Sequence, residues 1–150
     1  MVFNEFCETV EKARRQRPVL FGLPFDSIPS DEAIAQTEAL LQITLPESYK
    51  AFLKTYGGGC FGFLLVYSCD PHSRHSLTKN VTAEWIQTHA FLPAVDFETG
   101  DLGGFLVEHG SCTETIGIYD HEANAVLPQS SDFFTFLTQH GLYTEYTKHN

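Results

Sequence analysis

A helix that ends in three glycines and runs straight into an apolar stretch restricts the fold of this chain more than any other feature. In Leu45-Pro46-Glu47-Ser48-Tyr49-Lys50-Ala51-Phe52-Leu53-Lys54-Thr55-Tyr56-Gly57-Gly58-Gly59, the residues Tyr49, Phe52, Leu53 and Tyr56 recur at i, i+3, i+4 and i+7. That spacing puts them on one side of a helix. Pro46 sits in the first turn, where its missing N–H is not needed, and Thr44 and Glu47 have capping-box spacing. Gly57 is placed to take the left-handed position that ends a helix. Cys60 to Ser68 follows, apolar almost throughout, and reads as one strand central in its sheet. The glycines do not read as a phosphate loop, because they follow a helix and no Gly-Lys-Ser/Thr comes after them.

The rest of the chain arranges itself around that unit. Phe3, Phe6, Cys7, Val10 and Ala13 predict a helix over 3–16, with Lys12, Arg14, Arg15 and Arg17 at its C-terminal end, where cations suit the helix dipole. Residues 18–30, with three prolines, read as a connection anchored by Leu20, Phe21 and Phe25. Ser30 caps a second helix that runs to about Gln42, with Ile34, Thr37 and Leu41 inward. Residues 69–80 read as irregular. A short helix is expected over 81–89, with Val81, Trp85 and His89 on one side and Trp85 in the core. Strands are expected at about 91–97, 103–109 and 115–120, joined as an antiparallel meander, with a short edge strand from Ala125 to Leu127. Ser130 or Ser131 caps a last helix whose buried face is Phe133, Phe136, Leu137 and His140. Helices at both ends and strands between them imply an α+β fold, with helices packed on one face of a mostly antiparallel sheet. At 150 residues the chain matches one domain.

Charge separates the two halves. Residues 1–75 carry nine acids and seven Lys/Arg, whereas 76–150 carry ten acids and two Lys/Arg, within a net charge of −10. Between Asn80 and Thr147 there is no Lys or Arg. Such a surface repels phosphate, which argues against nucleic acid and anionic membranes, and it attracts basic proteins. No run approaches the roughly 20 apolar residues of a membrane span, and the N-terminus lacks a basic signal region. Four scattered cysteines, Cys7, Cys60, Cys69 and Cys112, read as reduced thiols in a cytoplasmic protein.

Candidate chemistry is sparse. Cys69, Asp70, His72 and His75 could offer zinc ligands, with His109, Cys112 or His121 as distant partners, but no CxxC or HExxH accompanies them. Asp120, His121 and Glu122 set an imidazole between two carboxylates, an arrangement more often found capping a turn than acting as a general base. Neither a nucleophile elbow nor an informative Cys–His pair is present. No catalytic residue, metal or cofactor is assigned.

Three blocks resemble the SUKH superfamily, which includes regulators of cell-wall synthesis. They are Ser30 to Ile34 followed by Leu45 to Leu53 and the glycine turn, then Phe97-Glu98-Thr99-Gly100-Asp101 with Tyr119 to Glu122, and finally Ser130 to Leu137. Together they cover about 30–140. Two features depart from the family pattern: Gly103-Gly104 at a strand start, and the first 29 residues. The resemblance implies an α+β domain without a catalytic centre that works by binding protein. Many bacterial members are immunity proteins that neutralise a secreted toxin, often a nuclease. A basic toxin domain would meet the acidic half here, through Glu98, Asp101, Glu108, Glu114, Asp120 and Glu122. The alternatives are a regulatory adaptor of the cell-wall type and, as a third reading, a hydrolase or metal site around His72, His75 and His121.

Overall fold

The computed structural model describes residues 1–143. In chain order its elements are α1 (Phe3–Gln16), a 3-10 turn (Pro18–Phe21), α2 (Asp31–Leu41), α3 (Glu47–Tyr56), β1 (Gly59–Phe61), β2 (Leu64–Val66), α4 (Leu77–Asn80), α5 (Ala83–His89), β3 (Phe91–Asp96), β4 (Leu102–Glu108), β5 (Ser111–Asp120), β6 (Ala125–Pro128) and α6 (Phe133–Gly141). The fold is α+β. Every strand pairs antiparallel with its sequence neighbour, in the order β1-β2-β3-β4-β5-β6. The expected meander is therefore present and extends over all six strands.

The core forms where aromatic faces meet. Phe6 and Val10 of α1, Tyr49, Phe52 and Leu53 of α3, and Phe133, Phe136 and Leu137 of α6 are all buried against Leu92, Val95, Phe105 and Ile116 of the sheet. Phe6 lies 5.0 to 6.2 Å, centroid to centroid, from Phe134, Phe61, Tyr56 and Phe52. Offset and edge-on rings at such separations are the favoured aromatic arrangements. The helix at α5 straddles the end of the sheet. Its Ile86 is buried in the main core, while Trp85 reaches toward Tyr119, at 5.2 Å, and Phe91.

The glycine turn does more than end α3. Gly57, Gly58 and Gly59 all have positive φ. A Cβ on Gly57 would stand 2.0 Å from the carbonyl oxygen of Asp26. The segment from Pro24 to Ser27 thus lies directly on the turn, and the Asp26 N–H donates to the Gly58 carbonyl at 2.9 Å.

Several local expectations are corrected. Cys60 to Ser68 is not one central strand. It folds back at Gly62-Phe63 into β1 and β2, and β1 is the sheet edge. The fold-back is pinned because the Phe63 N–H donates to the Gly141 carbonyl, and Gly62, at φ +57, leaves room for that same carbonyl. The run is apolar because the 3-10 turn packs on β1 and α6 packs on β2, which itself lies between β1 and β3. No capping box forms at Thr44. Pro46 occupies the N-cap, and the Leu45 N–H donates to the Glu38 carboxylate at 2.7 Å. Asp132, not a serine, caps α6, accepting from the Thr135 N–H at 2.9 Å. Residues 69–80 include α4, whose Leu77 is fully buried. Trp85 is half-buried and stacks on His89 at 3.9 Å instead of entering the core. The tyrosine of the tail at 146 lies outside the described residues.

Gly103 and Gly104, which depart from the family pattern, are explained by packing. A Cβ on Gly103 would meet the Phe136 ring at 2.7 Å, and one on Gly104 would meet the Leu92 carbonyl oxygen at 2.0 Å. Both positions trade a side chain for close approach.

Candidate functional site

At the end of the sheet where β3 turns into β4 and β5 into β6, two loops are stitched together. The Asp96 carboxylate accepts the Glu98 N–H at 2.7 Å, and the Asp120 carboxylate accepts the Glu122 and Ala123 N–H groups. These are the local turns that Asp favours. Between the loops, Asp101 Oδ1 receives the His121 backbone N–H at 3.0 Å and contacts His121 Nδ1 at 2.6 Å. Gly100, at φ +103, lies so close under the imidazole that a Cβ would come within 2.8 Å of it. The hydrogen bond from His121 holds the Asp101 carboxyl below its usual range, and the same bond raises the His121 pKa above its ordinary value. The contact thus favours the protonated form of His121, with Asp120 and Glu122 adding to the same effect.

Four of the six expected partner-facing acids meet here. Glu98, Asp101, Asp120 and Glu122 stand on these two loops, with Glu98 and Glu122 exposed. The remaining two do not join them. Glu108 pairs with Ser111 across the opposite turn, and Glu114 lies in the irregular stretch of β5 between the Ile116 and Cys112 pairings. At about 3.4 Å per residue, Glu114 and Glu108 sit roughly 20 and 30 Å from Asp120 along the sheet. Glu114 is also engaged within the molecule. Its carboxylate accepts the Ser48 hydroxyl at 2.5 Å and the Ser48 N–H at 3.4 Å, at the first turn of α3. It thus sits where an anion stabilises a helix N-terminus.

Beside the acids runs an apolar groove of about 340 Å³, lined by Phe63, Phe97, Ile118, His140 and Tyr143, with Asp101 and Thr99 at its margin. His140 packs 4.5 Å from Phe136 and 5.7 Å from Phe97, centroid to centroid, and burial lowers its pKa. Phe63 and Tyr143 lie 4.4 Å apart, and both remain more than half exposed. No sequence signal marks this groove, because its walls come from four separate segments.

Other candidate chemistry disperses. The Asp70 carboxylate receives the His72 and Ser27 N–H groups, and Cys69 is buried, which raises its pKa. Burial, with Glu114 nearby, pushes the Cys112 thiol up to about 12, far from a nucleophilic thiolate. The four cysteines carry no disulfide. Ligand atoms of Asp101, Asp120 and His121 fall within 4.8 Å of one another. That set has three members, against the four of a structural zinc site, and Asp101 already engages the imidazole. Among the described residues no helix is long and apolar enough to cross a membrane.

The family model SUKH_6, described as SMI1-KNR4 cell-wall, matches residues 31–137. The chain belongs to this SUKH family. The match spans α2 to most of α6, so it contains the acidic loops. It excludes α1, although Phe6 and Val10 are fully buried. A crystal structure of a protein from Pseudomonas syringae pv. tomato shares the fold, with a TM-score of 0.60 at 19% identity, over 91% of this chain and 98% of that one. No curated protein matches the chain. The SUKH assignment thus bears out the resemblance read from Leu45 to Leu53, the acidic loops and the closing helix.

Proposed function

We propose that this SUKH chain is a cytoplasmic protein-binding module, an immunity protein that neutralises a basic toxin domain by covering it. The observation that carries this reading is the convergence of Glu98, Asp101, Asp120 and Glu122 on two cross-linked loops, in a region without Lys or Arg from residue 80 to 147. Hydrogen bonds within and between the loops hold the backbone, so little order has to be created on binding. Long-range attraction would speed encounter with a cationic cleft such as that of a nuclease. Neither a catalytic role nor a cofactor is assigned, since the Asp101–His121 set is consumed in holding the loops. Unpaired cysteines suit a reducing compartment.

The test is co-expression with toxin domains encoded beside this gene. Protection from killing and recovery of a one-to-one complex are expected. Neither protection nor a complex with any neighbouring toxin would end the immunity reading. The family description, SMI1-KNR4 cell-wall, favours one second reading, a regulatory adaptor. It predicts a partner whose association is insensitive to salt.

A further inference from the structure

The geometry points to the groove between Phe63, Phe97, Ile118, His140 and Tyr143 as the seat for an apolar side chain of a partner protein, one flanked in the partner's sequence by Lys or Arg. This deepens the proposed function and rests on its reading of the chain as a protein-binding module.

Two independent features meet at this place. The first is exposed apolar surface. Phe63 is 54% exposed, Tyr143 67% and Leu127 51%. Leu127 pairs directly with Ile118 across β5 and β6, so the two side chains share a sheet face. The apolar strip therefore continues from the groove onto β6, where α6 no longer covers the sheet. Apolar surface gathered and rimmed by polar groups marks interaction sites more often than scattered apolar residues do. The second feature is charge. By the two-residue alternation of a strand, Asp120 lies on the same face as Ile118. Asp101 lines the groove itself, and Glu98 and Glu122 stand beside it.

These features decide the occupant. A second copy of this chain would bring another net charge of −10 against the same acids. An anionic or phosphate-bearing ligand meets the same repulsion. An apolar segment with cationic flanks satisfies both features at once. Its apolar side chain gains by leaving water, while its Lys or Arg stays at the wetter rim, where pairing with acids avoids the desolvation cost of a buried ion pair. Burial lowers the His140 pKa, which disfavours a positive charge on this lining residue near neutral pH.

The test uses the full chain, labelled with nitrogen-15, and three capped hexapeptides. One has a Phe-Leu centre between paired arginines, one has a Gly-Gly centre with the same arginines, and one has Phe-Leu between paired glutamates. The first should shift amide resonances of Phe97, Ile118, Leu127 and His140, and bind at least fivefold more tightly than either control. Phe63→Ser and Leu127→Ser, both at exposed positions, should each weaken it at least threefold while leaving the remaining spectrum in place. Equal binding of the Gly-Gly peptide would overturn the proposal by showing charge alone at work. Equal binding of the glutamate peptide would overturn it by showing nonspecific adhesion. Shifts in the same resonances on raising protein concentration alone would assign the groove to a second copy. Peptide binding without toxin protection would sink the immunity reading and leave the groove. Protection that survives both serine variants, without peptide binding, would do the reverse.

Discussion

At Gly104 a single methyl group would collide with the backbone of the neighbouring strand, 2.0 Å from the Leu92 carbonyl oxygen. Gly104→Ala should therefore part β3 from β4 and cost about 2 kcal/mol or more. Gly110, at the tip of the β4–β5 turn, is the control. A Cβ there meets nothing within 4 Å, so only its φ of +78 resists substitution, and Gly110→Ala should cost about 1 kcal/mol. Urea denaturation of both variants checks the contrast, and equal losses would refute it. His121 offers a residue-scale test of the acidic loops. Its pKa is raised by Asp101, so the pair's contribution is full below the ordinary histidine value of about 6.5 and fades as pH climbs through the raised one. The lowered Asp101 pKa sets the other limit: the contribution fades as pH falls through that value. Proton NMR of His121 should show titration above the ordinary value, and Asp101→Asn should move it down. A titration that Asp101→Asn left unchanged would contradict the pairing. The Asp101–His121 link was not readable from sequence, because twenty residues separate its ends and each sits in a different loop. The cap at Ser30 was readable, because its partner, the Ala33 N–H at 3.1 Å, is only three residues away.

Elements obey the same distinction between local and distant causes. Helix faces at Tyr49 to Tyr56 and Phe133 to Leu137 follow a period written in neighbouring residues, and each is buried as that period requires. The fold-back between β1 and β2 follows from a carbonyl at Gly141, which no reading of 60–68 alone contains. The first turn of α3 misled in the same way, since its anion comes from Glu114 on β5 and not from a neighbouring cap. Glu114→Gln keeps a weaker acceptor there, whereas Glu114→Ala removes it. The alanine variant should lose about 1 kcal/mol of stability, within the range measured for helix-end partners, while Glu108→Ala should be close to neutral. Thermal unfolding decides this, and a neutral Glu114→Ala would return that acid to the pool of candidate partner contacts. α1 lies outside the family match, yet Phe6 fills the space among Phe52, Tyr56, Phe61 and Phe134. Phe6→Ala should cost about 3–5 kcal/mol, so the matched segment alone is expected to fold poorly.

Over the whole molecule, the question is whether placement of charge matters or merely its total. Six acids were expected to face a partner together, and the sheet divides them between its two ends. A strand carries its side chains to a definite end according to where its turns fall, so acids close in sequence, such as Glu114 and Asp120, are drawn apart while Asp101 and Asp120 are brought together. If total charge alone drove association, removing any two exposed acids would slow it equally. If the acidic loops steer, Glu98→Gln with Glu122→Gln should lower the association rate for a cationic toxin domain at least fivefold. Glu108→Gln with Glu114→Gln, both toward the other end, should lower it less than twofold. Salt separates steering from contact as well. The screening length falls from about 10 Å at 0.1 M to about 3 Å at 1 M, so the association rate of the unaltered protein should drop at least tenfold across that range. Its dissociation rate, governed by short-range contacts in the groove, should change far less. Stopped-flow mixing measures both rates. Equal slowing by the two pairs would locate the attraction in the net charge of the chain and remove the loops from the encounter.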